Sequence, residues 1–195
     1  MDNRVDAKKI VLGTAQLGSN YGIMNQNNKL SKASVYSILE RAWRLGVRSF
    51  DTAPGYNSEK LIGDFVKTHG VCDDIQILTK VSGLKSRNIQ REISRSIEQS
   101  VENLNCQIAV LFLHDPDDAR LLVSQQDVFS KLVKDFNLKE IGASIYETKS
   151  VEALRCSDLS LALQFPINFL DRRFENIEMN VGKRYARSIF LQGIL

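Results

Sequence analysis

Seven short apolar runs recur along this chain, at residues 10–12, 47–50, 75–79, 108–113, 140–143, 161–164 and 188–191. The gaps between them are long enough for crossover helices, and repeated strand–helix units imply a parallel sheet with right-handed connections. Two gaps carry the helical repeat plainly. In residues 32–45, Val35, Ile38, Leu39, Ala42, Trp43 and Leu45 fall on one helical face, and Gly46 stops the segment. In residues 88–104, Ile89, Ile93, Ile97, Val101 and Leu104 do the same. Ser58 opens a further helix, and residues 119–136, 148–154 and 176–186 are expected to be helical on weaker patterns.

Such a sheet is either open and doubly wound or closed as a (β/α)8 TIM barrel. Three successive runs end in polar residues: Asp51 after 47–50, Lys80 after 75–79 and His114 after 108–113. Only the barrel accounts for that pattern, because barrel sites collect at the C-terminal ends of the strands. A barrel has eight strands and typically about 250 residues. With seven runs in 195 residues, the expectation is one domain over residues 1–195, a barrel incomplete at its C-terminus. The sequence shows no linker, internal repeat or low-complexity segment.

Charge and cysteine usage exclude several classes. Twenty-six basic residues against 23 acidic ones give a net charge of +3, too balanced for a nucleic-acid surface. No apolar run approaches the length of a membrane span. The N-terminal MDNRVDAKK lacks the apolar core of a signal peptide. Cys72, Cys106 and Cys156 are odd in number, far apart and without CxxC spacing. Neither a disulfide framework nor a metal site is expected, and the expected compartment is the reducing cytoplasm.

The chemistry centres on SFDTAPGYNSEKLIG, residues 49–63. An acid at a strand end and a phenol five residues later, Asp51 and Tyr56, share one short loop. Lys80 follows an apolar run where burial strips its water, so its ammonium needs a carboxylate partner, and Asp51 is one strand away. A lysine held there favours loss of the Tyr56 proton, making the phenol a general acid or base near neutral pH. His114 is placed to orient a substrate oxygen. These groups suit protonation of a carbonyl oxygen as hydride arrives at carbon, and they require a reduced cofactor. Taken singly, each also has a structural reading. Asp51 and Lys80 read as a salt bridge, Tyr56 as a loop aromatic, and His114 before Asp-Pro-Asp-Asp as a helix cap or a buried histidine. It is the joint pattern that favours chemistry.

The ordered set of motifs resembles the aldo-keto reductases, NADP(H)-dependent barrel oxidoreductases. LGTAQLG (12–18), DTAPGYNSEKLIG (51–63), LTKV (78–81), LFLHDPDD (111–118), KEIGASIYE (139–147), ALQFPINFLD (162–171) and RSIFLQGIL (187–195) carry the likeness over essentially the whole chain. The resemblance implies a catalytic tetrad of Asp51, Tyr56, Lys80 and His114, with Tyr56 as proton donor. It implies that Ser144 and Gln164 hold the nicotinamide carboxamide and that Phe190, or a residue beside it, packs on the nicotinamide ring. The implied cofactor is NADP(H) and the implied substrate a small aldehyde, ketone or sugar carbonyl.

Three departures stand beside the likeness. The usual Tyr-Gly-x-Ser-Glu is here Tyr56-Asn57-Ser58-Glu59, one residue shorter, and the usual Ser-Asn is Ser144-Ile145. The family's eighth strand and its adenosine-phosphate-binding segment are also missing, which implies a cofactor held at its nicotinamide end only. Three explanations stay open: a fragment of a longer protein, a shortened natural product or a chain completed by a partner. A fragment is the leading expectation, and the first and last strands would expose edges that invite self-association. Two other functions remain open: an inactive binding subunit on the same scaffold, and a lyase using Lys80 as a Schiff base.

Overall fold

The computed structural model describes residues 6–19, 30–176 and 182–191. They form two compact units, Met1–Thr79 with Gln99–Ile108, and Lys80–Glu98 with Ala109–Leu195. Strand order follows chain order from β1 to β7, and every ladder described below is parallel. This is the succession expected of a (β/α)8 barrel, with seven strands among the described residues.

The first unit is built on β1 (Val11–Gly13), β2 (Ser49–Asp51) and most of β3 (Gln76–Val81). Gly13 pairs with Asp51, and Asp51 with Leu78. Phe50 is fully buried between these neighbours, as a central parallel strand requires. A short helix, α1 (Ala15–Gly18), follows β1. The Ser31 hydroxyl caps α2 (Lys32–Arg44) by accepting from the Ser34 amide at 3.1 Å. Val35 and Leu39 are its buried face, whereas Ile38 and Leu45, expected on that face, are exposed. The buried stripe, Val35 and Leu39, is therefore narrower than the repeat suggested.

Helix α3 (Glu59–His69) buries Ile62, Phe65 and Val66 and ends at Gly70 in the left-handed conformation, φ 62°. The Phe65 ring meets Trp43 edge-on at 6.3 Å and Phe50 at 6.4 Å. Burial of such a ring contributes roughly 2–3 kcal/mol. The last turn of α4 (Ile89–Leu104) belongs to this unit, and Gly63 admits it closely. A Cβ at Gly63 would run into the Asn103 carbonyl oxygen and lie 2.9 Å from the Leu104 carbonyl carbon. All three cysteines are free thiols. Cys106 donates to the Cys72 carbonyl at 3.2 Å, and burial, then the neighbouring Cys72 thiol, pushes its own thiol up to about 12.

The second unit carries β4 (Ile108–Leu113), β5 (Glu140–Ser144), β6 (Leu161–Pro166) and β7 (Arg184–Arg187). All six residues of β4 and of β6 are buried, so both faces are covered. Residues 119–136 do not form one helix. A 3-10 turn (Asp118–Arg120), α5 (Leu121–Ser124) and α6 (Gln126–Asp135) replace it, with the break at Gln125, φ −135° and ψ 45°. Loop contacts on both sides of the break account for it. Ser157 donates its hydroxyl to the Leu122 carbonyl at 3.4 Å, and the Gln126 side chain accepts from the Asp158 amide at 2.7 Å. Helix α7 (Thr148–Leu154) lies where expected.

The seventh strand differs from expectation. It is Arg184–Arg187, paired Leu163 with Arg184 and Pro166 with Arg187, four residues before the run at 188–191. The apolar run instead turns, with Ser188 at φ 57°, Leu191 at φ 47°, and Ile189 and Phe190 exposed. The helix expected over 176–186 is correspondingly wrong at 184–186, while residues 177–181 lie outside the described residues. Among the described residues, no helix is long and apolar enough to cross a membrane.

Candidate active site

In the first unit, β2 ends at Asp51 and the chain turns at once. The Asp51 carbonyl accepts from the Thr14 amide and hydroxyl, both at 2.9 Å, and the Thr52 amide donates to the Leu78 carbonyl at 2.8 Å. Three buried hydroxyls then lock the turn: Ser58 lies 2.8 Å from Thr14 and 2.9 Å from Thr52. Pro54 presets the backbone of the 3-10 turn Pro54–Tyr56, which places Tyr56 half-buried. Asn57 takes the left-handed conformation, φ 56°, a site that suits asparagine among side-chain-bearing residues. Glu59, the first residue of α3, is buried and accepts from Thr79 and Asn103, each at 3.2 Å. Ser58 and Glu59 of the shortened Tyr-Asn-Ser-Glu segment are thus hydrogen-bonded into their unit.

Gly18 belongs to the same construction. A Cβ there would collide with the Tyr56 carbonyl oxygen and lie 2.5 Å from the Asn57 carbonyl carbon and 2.6 Å from the Ser58 amide nitrogen. Gly18→Ala is therefore expected to cost about 1–3 kcal/mol by pushing backbone against backbone. Thermal melting checks this, and an unchanged midpoint would show that the turn gives way freely.

In the second unit, Lys80 is the penultimate residue of β3, not the residue after it, and only 2% of it is exposed. The strand extends because the His114 amide donates to the Val81 carbonyl at 2.8 Å. That bond also brings His114, directly after β4 and half-buried, beside the end of β3. Ser144 closes β5 and pairs in register with Gln164 of β6. Both are buried, and the Ser144 hydroxyl donates to Gln164 Oε1 at 3.0 Å. Ile145 is buried and donates its amide to the Gln164 carbonyl at 2.8 Å. Phe190, in the turn after β7, is 69% exposed.

The structure thus groups Asp51 with Tyr56, Lys80 with His114, and Ser144 with Gln164. It also supplies two residues that the motifs did not single out for a role. The Tyr146 hydroxyl lies 3.5 Å from His114 Nε2. The Arg187 guanidinium, at the end of β7, lies over the Tyr146 ring at 3.9 Å from its centroid, a contact worth roughly 0.5–2 kcal/mol. Arg187 was hidden because the seventh strand was placed after it. A polar residue ending an Arg-Tyr-Ala-Arg alternation was the available signal.

The buried Ser144–Gln164 pair is a hydroxyl and an amide fixed by each other, which together offer both hydrogen-bond donors and acceptors. Among the described residues, no group of three or more His, Cys, Asp or Glu side chains is arranged to hold a metal ion.

Comparison with known proteins identifies the family of the chain. A model described as the Aldo/keto reductase family matches residues 9–183. Aldo-keto reductase YhdN of Bacillus subtilis (strain 168) is 25% identical over 206 residues, which cover 100% of this chain and 60% of that protein. D-threo-aldose 1-dehydrogenase of Pseudomonas sp is 32% identical over 180 residues, 73% of this chain and 54% of that protein. The chain thus spans somewhat over half the length of these relatives. The holo form of aldo-keto reductase AKR11C1 from Bacillus halodurans has a similar fold, with a TM-score of 0.74 and 22% identity over 96% of this chain and 64% of that one.

Proposed function

The chain belongs to the aldo/keto reductase family, and on that premise we propose that it transfers hydride between NADP(H) and an aldehyde, ketone or sugar carbonyl, with Tyr56 as the proton donor. One observation carries the reading. In the first unit Asp51 closes β2 and Tyr56 lies on the turn after it. In the second, Lys80 lies one residue from the end of β3 and His114 directly after β4, so within each unit the chemistry-bearing groups lie at C-terminal strand ends. Sugar carbonyls enter through the relative named as an aldose dehydrogenase.

By the family likeness, Asp51 and Tyr56 of the first unit and Lys80 and His114 of the second would each act on the carbonyl group in a role of its own. Tyr56 gives its phenolic proton to the carbonyl oxygen while the carbonyl carbon becomes an alcohol carbon. The Lys80 ammonium, short of water, stabilises the phenolate left behind, and the Asp51 carboxylate balances the lysine. His114 hydrogen-bonds the carbonyl oxygen and fixes its approach. Bound NADP(H) supplies the hydride. Ser144 and Gln164 would hold its carboxamide, and Phe190, exposed in the turn after β7, or a residue beside it, would offer the group that packs on the nicotinamide. Ile145, buried and apolar, adds no side-chain contact to the carboxamide, so affinity at this end rests on the Ser144–Gln164 pair.

A fluorescence titration with NADPH, and with NADH alongside, tests the reading, followed by an aldehyde and aldose screen. Saturable binding with altered nicotinamide emission and turnover is expected. A folded protein that binds neither dinucleotide would refute it and favour a non-catalytic scaffold.

A further inference from the structure

We propose that Arg187 is a positioning residue for His114 and acts through Tyr146, an inference that rests on the reductase reading above for its catalytic meaning. The contacts run in an unbroken line. Arg187 closes β7, where its carbonyl accepts from the Ile167 amide at 3.1 Å. Its Nη2 donates to the Ile145 carbonyl at 3.2 Å, and its guanidinium covers the ring of the next residue, Tyr146, at 3.9 Å. The Tyr146 hydroxyl meets His114 Nε2 at 3.5 Å. His114 is itself tied to β3 by its amide bond to the Val81 carbonyl.

The chemistry of arginine explains why this line positions a side chain. A planar guanidinium can hold a backbone carbonyl with one edge and an aromatic ring with its face at the same time. Gripping residues 145 and 146 together leaves the Tyr146 ring one pose, and that pose sets the phenol against His114 Nε2. A phenol hydroxyl can donate to or accept from an imidazole nitrogen, so its contact at Nε2 holds the ring in one orientation and thereby sets what the histidine presents to a carbonyl oxygen.

Packing alone does not account for Arg187. Its Nε is buried and, among the described residues, has no hydrogen-bond acceptor. An orphaned donor is a cost that a methionine filling the same space would avoid. No described carboxylate forms an ion pair with it either. What the guanidinium does in this structure is hold residues 145 and 146.

Nitrogen-15 NMR of the imidazole rings reads the proposal directly, because the sequence has only two histidines, His69 and His114. The purified protein is compared with Tyr146→Phe, which keeps the ring and removes the hydroxyl, and with Arg187→Met. His114→Gln assigns the signals. In both test variants the ring-nitrogen shifts of His114 are expected to move, because the hydrogen-bond contact at Nε2 is lost or loosened. Those of His69, whose Nδ1 lies 3.0 Å from the Phe65 carbonyl, stay unchanged and report an intact fold. In parallel, kcat for carbonyl reduction is expected to fall about tenfold in each variant, with the affinity for NADPH unaltered. Unchanged His114 shifts in folded Tyr146→Phe or Arg187→Met would overturn the proposal and leave the reductase reading standing. Altered shifts in a protein that reduces no carbonyl would overturn that reading and leave the Arg187–Tyr146–His114 linkage in place.

Discussion

Tyr56→Phe is expected to lower kcat for carbonyl reduction by about 10²–10⁴-fold, the usual worth of a positioned general acid, while the fold survives. The substitution removes one oxygen from a ring at the half-exposed end of a 3-10 turn. The turn itself is set by backbone and neighbours: the Tyr56 amide donates to the Ala53 carbonyl at 2.9 Å, and the Thr14, Thr52 and Ser58 hydroxyls lie beneath it. None of those backbone and hydroxyl bonds uses the phenol, so the turn itself should still form in the variant. Steady-state rates with a matched melting curve are the measurement. A variant that keeps most of its rate would remove Tyr56 from the role of proton donor, whatever becomes of the other three residues.

Gly142→Ala should have the largest effect on stability. Gly142 lies mid-strand in β5, in register with Ala162 of β6. A Cβ at that position would overlap the Ala162 carbonyl oxygen and lie 2.6 Å from its carbonyl carbon and 2.8 Å from its amide nitrogen. All three obstacles are backbone, so no side-chain rotation relieves them, and the two strands must part. Overpacking of a core usually costs about 1–3 kcal/mol, and a rigid obstacle puts this substitution at or above the top of that range. For a chain of this size that corresponds to a fall of roughly 6–12 °C in melting temperature. The same two strands carry Ser144, which closes β5, and its register partner Gln164 within β6, so cofactor affinity should fall with stability. A midpoint within about 2 °C of wild type would show that β5 and β6 approach less closely than described here.

The elements most legible in the sequence are those whose burial is one-sided or complete. Strand β4 matches its apolar run residue for residue, because all six side chains are buried and composition alone marks such a strand. Helix α4 follows its five-residue apolar stripe to Leu104, and Gly46 and Gly70 end segments where a left-handed residue is needed. Strand β7 was missed for the opposite reason. It alternates exposed and half-buried residues and carries two arginines, while the apolar run just beyond it is exposed. Local pattern cannot register a strand whose partner, β6, lies some twenty residues earlier and supplies the ladder.

For the site, the sequence alone determined which chemistry is present and in what order: an acid and a phenol on one five-residue loop, then a lysine and a histidine at later strand ends. Those placements are local, since each depends on where an apolar run stops and a turn begins. Only the tertiary structure decided that Lys80 lies inside its strand, where the amide of His114 prolongs the ladder past it. Only the tertiary structure assembled His114, Tyr146 and Arg187, three residues from three different strand ends. Chain direction and hydrophobic period report what a residue's neighbours along the chain require. Contacts between residues tens of positions apart are fixed by strand register and close backbone approach, as at Gly142 and Ala162, and those exist only once the sheet has formed.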